Sequence, residues 1–197
     1  MNNFVDKLPT SVYGTTADVA KCAHLKWSAE EAVALDADGV MTSQHGATSK
    51  KTITEGLISP AIPRALEVVV GGTAADAKAS SKVTVYGMNI ADKEISEEFT
   101  LTGDTTETLA GSKAFKTVTK VEIGAQDGTG VTFTVGWINK LGLPFAFAEK
   151  PLVFALLDGT RETTDPTLAI DSDEVEKNTL TLNSSLNGKQ VDVFMFV

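Results

Sequence analysis

The sequence predicts an all-β fold, made of antiparallel β-sandwich or barrel-like modules that follow a largely irregular N-terminal arm. Apolar and polar residues alternate in many short segments after residue 50, which is typical of half-buried strands. Turns rich in Gly and Asp separate these segments at intervals of about 8–12 residues. Threonine, which favours strands, occupies about one position in eight. Helices long enough to cover a parallel sheet are missing, which disfavours an α/β fold.

Residues 1–50 lack sustained periodicity, and we expect them to form an arm without a core of its own. The Ser28-Ala29-Glu30-Glu31 segment has the pattern of a capping box and predicts a helix of two turns. The acidic segment that begins at Asp36 would end it. A second short helix is predicted around Asp18–Leu25.

The first predicted β module covers residues 51–139. Lys82–Tyr86 and Ile95–Leu101 alternate and are joined by a loop of turn-forming residues, which predicts a hairpin. Ala65–Val70 and Val131–Ile138 are two further predicted strands. Within Thr117–Ile123 the alternation changes parity, which indicates a bulge or a register change.

The second predicted module covers residues 140–197 and could form one continuous β domain with the first. The apolar loop over residues 140–147 would separate the two. Asn187-Gly188 predicts a type I′ turn that leads into the final strand, Gln190–Val197. The remaining predicted strands are Leu152–Leu157, Pro166–Ile170 and Thr179–Leu182.

Composition excludes several classes of function. The chain has 197 residues and a net charge of −9, from 26 acidic and 17 basic residues. This charge disfavours direct binding of nucleic acid, which requires clustered cations. The single cysteine cannot form an internal disulfide. No segment has the length and apolarity of a membrane span, and the N-terminus lacks the pattern of a signal peptide, so we expect synthesis in a cytoplasm.

A search for catalytic and metal-binding motifs predicts no catalytic residue, no cofactor and no metal site. Cys22 and His24 are candidates for a thiolate and its base. A Ser-His-Asp site would use His24 or His45, but no Gly-x-Ser-x-Gly elbow is present. The acidic segments that begin at Asp36 and Asp171 do not complete a calcium loop, and we interpret them as solvated turns. We therefore expect a protein that is not an enzyme, although an unrecognised acidic site is an alternative.

Apolar residues near the boundary between the two modules predict an interface with another molecule. A loop that exposes apolar side chains is a typical oligomer contact, although core packing is the alternative for each residue. The predicted interface residues are Trp27, Leu141, Leu143, Pro144, Phe145 and Phe147.

The β region resembles a group of tailed-bacteriophage virion proteins, the small head-associated or capsid-decorating proteins. The matching stretches are ISPAIPR (58–64), GSKAFKTVT (111–119), NKLGLP (139–144), DGTRE (158–162) and LNSSLNG (182–188), which leads into Val191-Asp192-Val193. The resemblance covers about residues 52–197, and the arm matches less well. It offers no catalytic residue to transfer, because such proteins are not enzymes.

The resemblance implies a capsid decoration (cement) protein that binds the major capsid protein on the capsid exterior and stabilises the shell. It also implies a homo-oligomer, with a trimer favoured, synthesised in the bacterial host cytoplasm and in contact with neither nucleic acid nor membrane. The alternatives within the virion are a head fibre, the neck or the tail. A different class of function is a carbohydrate- or receptor-binding β module that uses Trp137 or Trp27 as a stacking platform.

Overall fold

The computed structural model describes residues 3–4 and 22–196, and nearly all of its regular structure is antiparallel β. The predicted all-β antiparallel fold is confirmed. Two short 3-10 turns, Ala74–Asp76 and Val175–Lys177, interrupt the strands. The strands are β1 (Asn3–Phe4), β2 (Cys22–Trp27), β3 (Asp36–His45), β4 (Lys51–Ile53), β5 (Arg64–Gly72), β6 (Lys82–Met88), β7 (Glu94–Thr100), β8 (Thr108–Phe115), β9 (Thr117–Ile123), β10 (Val131–Gly142), β11 (Leu152–Leu157), β12 (Thr160–Arg161), β13 (Thr167–Ala169), β14 (Thr179–Thr181) and β15 (Val191–Phe196).

These strands form three antiparallel sheets. Sheet A has the order β1-β2-β15-β11-β12, and sheet C has the order β4-β9-β6-β7. Sheet B has the order β13-β14-β10-β5-β8, and β3 also pairs with β10. The strand β10 therefore has β5 along one side, while β3 and β14 occupy successive parts of its other side.

Two hydrophobic cores lie on the inner faces of these sheets. Core 1 combines residues of sheet C with those of β3, β5, β8 and β10: Val40, Met41, Leu66, Val68, Val70, Val83, Val85, Phe99, Leu101, Phe115, Val118, Val121, Ile123, Val131, Phe133 and Val135. Core 2 combines residues of sheet A with the other end of sheet B and nearby loops: Leu25, Trp27, Ala32, Ile62, Leu141, Leu143, Phe147, Ala155, Leu168, Leu180, Leu182, Leu186, Val191, Val193 and Met195.

The predicted N-terminal arm over residues 1–50 is wrong for its described part beyond residue 21. The strand β2 pairs along its full length with β15, and β3 pairs with β10. Cys22–Leu25 lies in β2 and not in the predicted helix around Asp18–Leu25, whose first four residues are outside the described residues. The alternation of Ala23, Leu25 and Trp27 was the overlooked signal, since it places these side chains against core 2.

The Glu31 half of the predicted capping box forms, but it closes a single turn and not a two-turn helix. The backbone N–H of Ser28 donates to Glu31 Oε2 at 2.8 Å, and the N–H of Ala32 donates to the Ser28 carbonyl at 2.9 Å. The chain then leaves this turn for β3, which begins at Asp36. The helix predicted after Ser28 therefore stops after one turn, and the chain pairs with β10 as β3 instead.

The predicted boundary between residues 139 and 140 falls inside β10. The first half of this strand contributes Val131, Phe133 and Val135 to core 1, and Leu141 near its end belongs to core 2. A single strand therefore belongs to both cores. The structure replaces the predicted linker over residues 140–142 with a continuous element.

Most of the other predicted strands are confirmed, together with the hairpin between β6 and β7 and the bulge within β9, where the pairing with β6 skips Thr119. The type I′ hairpin turn at Asn187-Gly188 is wrong: Gly188 has a φ of +74° but Asn187 does not have positive φ, and the strands on either side belong to different sheets. Asp158 and Gly159 both have positive φ, at 54° and 74°, and join β11 to β12.

Arg64 is buried where β10 bulges away from β5. The pairing shifts between Trp137 and Leu141, which frees the backbone of the intervening residues. The Arg64 guanidinium fills this space, donating to the carbonyls of Ile138 and Val33 at 2.9 Å each. Burial lowers the pKa of Arg64 to about 10, so the side chain is still a cation at neutral pH. It ties β5, the bulge in β10 and the turn after β2 together.

We predict that Arg64→Met lowers the free energy of unfolding by about 2–3 kcal/mol, because two carbonyls lose a charged donor. Urea denaturation at pH 7 measures this change. The matched control is Arg161→Met, at an exposed position with one surface ion pair, which should change the free energy by less than about 0.5 kcal/mol. Equal effects of the two substitutions would contradict this role for Arg64.

Candidate docking surface

The structure corrects the predicted interface for four of its six residues. Leu141, Leu143, Phe147 and Trp27 lie in core 2, with at most 9% of each residue exposed. They contact the chain's own interior, so core packing is the correct interpretation for them. The loop folds inward because its first residues form the end of β10, which lies against core 2.

Pro144 and Phe145 are half-buried, and for these two the interface remains a prediction. Phe145 packs against the edge of core 2, with its ring centroid 5.9 Å from that of Phe147 in an edge-to-face arrangement. The part of this loop that reaches the surface is therefore small.

Neither tryptophan presents a free ring as a stacking platform for a sugar. Trp27 is buried in core 2. Trp137 packs against core 1, and a Cβ atom built on Gly39 would lie 2.6 Å from its ring, so the Gly39 backbone covers that ring. The indole N–H of Trp137 donates to the Ala34 carbonyl at 3.2 Å. The rings thus serve packing within the chain.

The outer face of sheet A carries a row of stacked side chains that the sequence analysis missed. Side chains alternate along strands, and the inward residues of β2, β11 and β15 fill core 2, so His24, Phe154 and Phe194 lie on the outer face. The His24 and Phe194 rings stack with centroids 4.3 Å apart. The Phe194 and Phe154 rings stack at 5.0 Å, and the Arg161 guanidinium lies 5.1 Å from the Phe154 centroid. We call this set the outer row.

Apolar and charged groups flank the outer row. Leu152 on β11 is 78% exposed and Leu156 is half-buried. His24 Nε2 lies 2.8 Å from Asp192 Oδ1. Burial alone would raise the pKa of the Asp192 carboxyl, but hydrogen bonds from Gln190 and His24 outweigh it and hold the pKa below its usual value. This carboxylate fixes one end of the row.

A sequence signal for the outer row exists. The Leu152–Leu157 segment is apolar at every position, and in the last strand the apolar Phe194 lies on the same face as Asp192. A strand that is apolar on both faces needs burial on both faces, from within the chain or from a partner. Only one face of β11 and β15 contributes to core 2.

The outer face of sheet C has the opposite character, with ion pairs in place of stacked rings. Glu122 accepts from Tyr86 at 3.0 Å and pairs with Lys50 and Lys120 at 2.7 and 3.1 Å. The Lys120 ammonium also lies 3.8 Å from the Tyr86 ring centroid. Hydrogen bonds from the two lysines lower the pKa of Glu122 to about 2. Such a face favours contact with water.

The remaining candidate residues do not come together as a reactive site. His24 pairs with Asp192 and not with Cys22, and His45 contacts the Thr129 carbonyl at 3.1 Å. Asp171 accepts from the backbone N–H groups of its own turn, as expected for a solvated acidic turn. Within residues 3–4 and 22–196, no three His, Cys, Asp or Glu side chains are grouped as metal ligands.

We predict that Glu122→Gln destabilises the protein at pH 7 and that most of this difference is lost in acid. The folded-state pKa of Glu122 is depressed from 4.5 to about 2, so its stabilisation is present above pH 4.5 and is lost as the pH falls towards 2. Thermal melting from pH 7 to 2.5 measures the difference. Glu55→Gln, at an exposed position, is the control. A difference that stays constant over this range would refute the role of the ion pairs.

Comparisons of the chain with protein-family models, with curated proteins and with solved structures give no match. Among residues 3–4 and 22–196, no helix has the length and apolarity to cross a membrane. The basis for a functional proposal is therefore the chain's own geometry, above all the outer row of sheet A.

Proposed function

We propose that this chain is a structural protein of a tailed-bacteriophage virion, a decoration protein that binds the major capsid shell and stabilises it. The observation that carries the proposal is that β11 and β15 present apolar side chains on both faces, with core 2 on one side and the outer row on the other. An outward aromatic face of this kind favours docking to a partner. The resemblance of residues 52–197 to head-associated proteins supports the choice of partner.

The architecture suits a protein that reinforces a shell. The outer row lies on a sheet whose other face is packed into core 2, so its rings are held in place before binding. The side chains of this face therefore lose little conformational freedom when a partner docks. Stacking between neighbouring strands also fixes the spacing of the rings, which favours a contact of defined geometry.

The distribution of charge is compatible with assembly. A net charge of −9 keeps free copies apart in solution. The outer row has its own pair of cationic groups, Lys26 and Arg161, near its two edges, and the Asp192 carboxylate lies between them. The docking face therefore lacks the excess of negative charge that the whole chain carries. We propose that copies meet as a trimer on the shell, through heterologous contacts outside this face.

We predict that Leu152→Glu weakens binding to capsids about tenfold or more, because it places a charge beside the outer row. Leu152 is 78% exposed, so the substitution leaves the fold intact. Co-sedimentation of the purified protein with undecorated heads of the phage measures the affinity. Ile58→Glu is the matched control, since Ile58 is also exposed, at 59%, and lies outside sheet A. Equal binding of Leu152→Glu and the wild type would exclude the outer row as the docking face.

The copy number of this chain in purified virions tests the proposed position. A decoration protein is present in hundreds of copies, in proportion to the capsid subunits. A number set by the symmetry of the neck or the tail would reject capsid decoration in favour of those positions. Absence from the particles would reject the virion proposal altogether.

A further inference from the structure

A lysine, an asparagine and a glutamate meet at a junction between the two cores. Asn89 follows β6 in the hairpin to β7, Lys113 lies on β8, and Glu176 lies in the 3-10 turn Val175–Lys177. Asn89 is 2% exposed and Glu176 is 7% exposed, while the Lys113 side chain is 22% exposed. The three groups therefore meet in a largely desolvated place.

The Asn89 carboxamide is held in a way that polarises it. Its Oδ1 atom accepts hydrogen bonds from the backbone N–H groups of Ala91, at 2.9 Å, and Lys93, at 3.1 Å. Two such donors stabilise negative charge on this oxygen, as an oxyanion hole does. The Asn89 Cγ atom is consequently a better electrophile than that of a solvated asparagine.

One carboxylate contacts both the amine and the carboxamide. Glu176 Oε2 accepts from Asn89 Nδ2 at 2.9 Å, and Glu176 Oε1 lies 3.8 Å from Lys113 Nζ. A carboxylate in this position can accept a proton from the amine and deliver one to the nitrogen that leaves. Nucleophile, electrophile and proton carrier are thus assembled from three separate elements.

The surroundings keep these groups close together. Glu97 on β7 accepts from the backbone N–H of Ser112 at 2.6 Å, which binds the hairpin strand to β8 next to Lys113. The other carboxylate near Lys113 is Glu174, at 3.3 Å, and Glu174 also pairs with Lys177. Lys177 can therefore keep the Glu174 carboxylate ion-paired when the Lys113 amine turns away from it towards Asn89.

We propose that Lys113 and Asn89 form an intramolecular isopeptide bond, with Glu176 as the catalytic proton carrier. Glu176 takes a proton from the Lys113 ammonium, and the lone pair of Nζ attacks Asn89 Cγ. The Cγ–Nδ2 bond then breaks, and the nitrogen takes up protons and leaves as ammonium. One C–N bond forms and one breaks, Glu176 returns to its carboxylate form, and no oxidant or other reactant is needed.

The crevice beside this junction gives the product a way out. It has a volume of about 580 Å³ and is lined by Asn89 and Glu176 together with apolar groups such as Ile95, Pro144 and Val175. Ammonium formed at Asn89 can leave through it. The bond itself would link the β6–β7 hairpin of sheet C to β8 of sheet B, and thereby close one edge of core 1 covalently.

Intact-mass spectrometry of the purified, fully denatured protein tests this proposal. The cross-linked chain weighs about 17 Da less than its sequence, the mass of one ammonia. Proteolysis then yields a branched peptide that contains both Lys113 and Asn89. An unchanged mass would overturn the proposal, and so would a gain of about 1 Da, which signals hydrolysis of Asn89 by water instead.

Three variants identify the groups involved. Lys113→Arg keeps a cation beside Glu174 and Glu176 but removes the nucleophile, and Glu176→Gln keeps the size of the side chain but removes the proton acceptor. Both should fold, as checked by circular dichroism, and both should have the full mass of their own sequences. The control Lys116→Arg changes a lysine that pairs with Asp92, and it should retain the loss of about 17 Da. Retention of the mass loss in Lys113→Arg would show that Lys113 is not the nucleophile.

Discussion

The fold depends on the shared strand β10 and on the buried cation that stabilises its bulge. A twelve-residue strand that enters one core and ends in another would normally leave unpaired backbone where it changes partners. Here β3 and β14 take over successive stretches of one side, and Arg64 donates to the carbonyl that the bulge frees. The two cores are therefore joined by a paired strand and not by a flexible linker.

This connection gives the outer surfaces fixed positions relative to the cores beneath them. Sheet A carries apolar side chains on both faces, because β11 and β15 have them at both parities. Sheet C is apolar only on the face that borders core 1, and its outer face holds the Glu122 network. The physical consequence is that water stabilises the outer face of sheet C, whereas the outer row gains from contact with another surface.

The junction of Asn89, Lys113 and Glu176 is a consequence of the same architecture. The hairpin after β6, the strand β8 and the turn at Val175 come from distant parts of the chain, and they meet because the cores share sheet B. Desolvation strengthens the interactions among these polar groups and makes any unpaired group costly. A covalent bond at this place would hold the β6–β7 hairpin against β8 even when the non-covalent contacts between them break.

The sequence by itself determined most of the strands after residue 50, since alternation is local: Val83 and Val85, or Ile95 and Phe99, face inward wherever their strand lies. It also showed that no familiar catalytic motif is present. Tertiary structure alone decided which strands pair, and so whether Leu141 and Trp27 face solvent or core 2. Likewise, only pairing across β2, β15 and β11 brings His24, Phe194 and Phe154 into one row, because these strands are far apart in the chain and become neighbours only in the folded sheet.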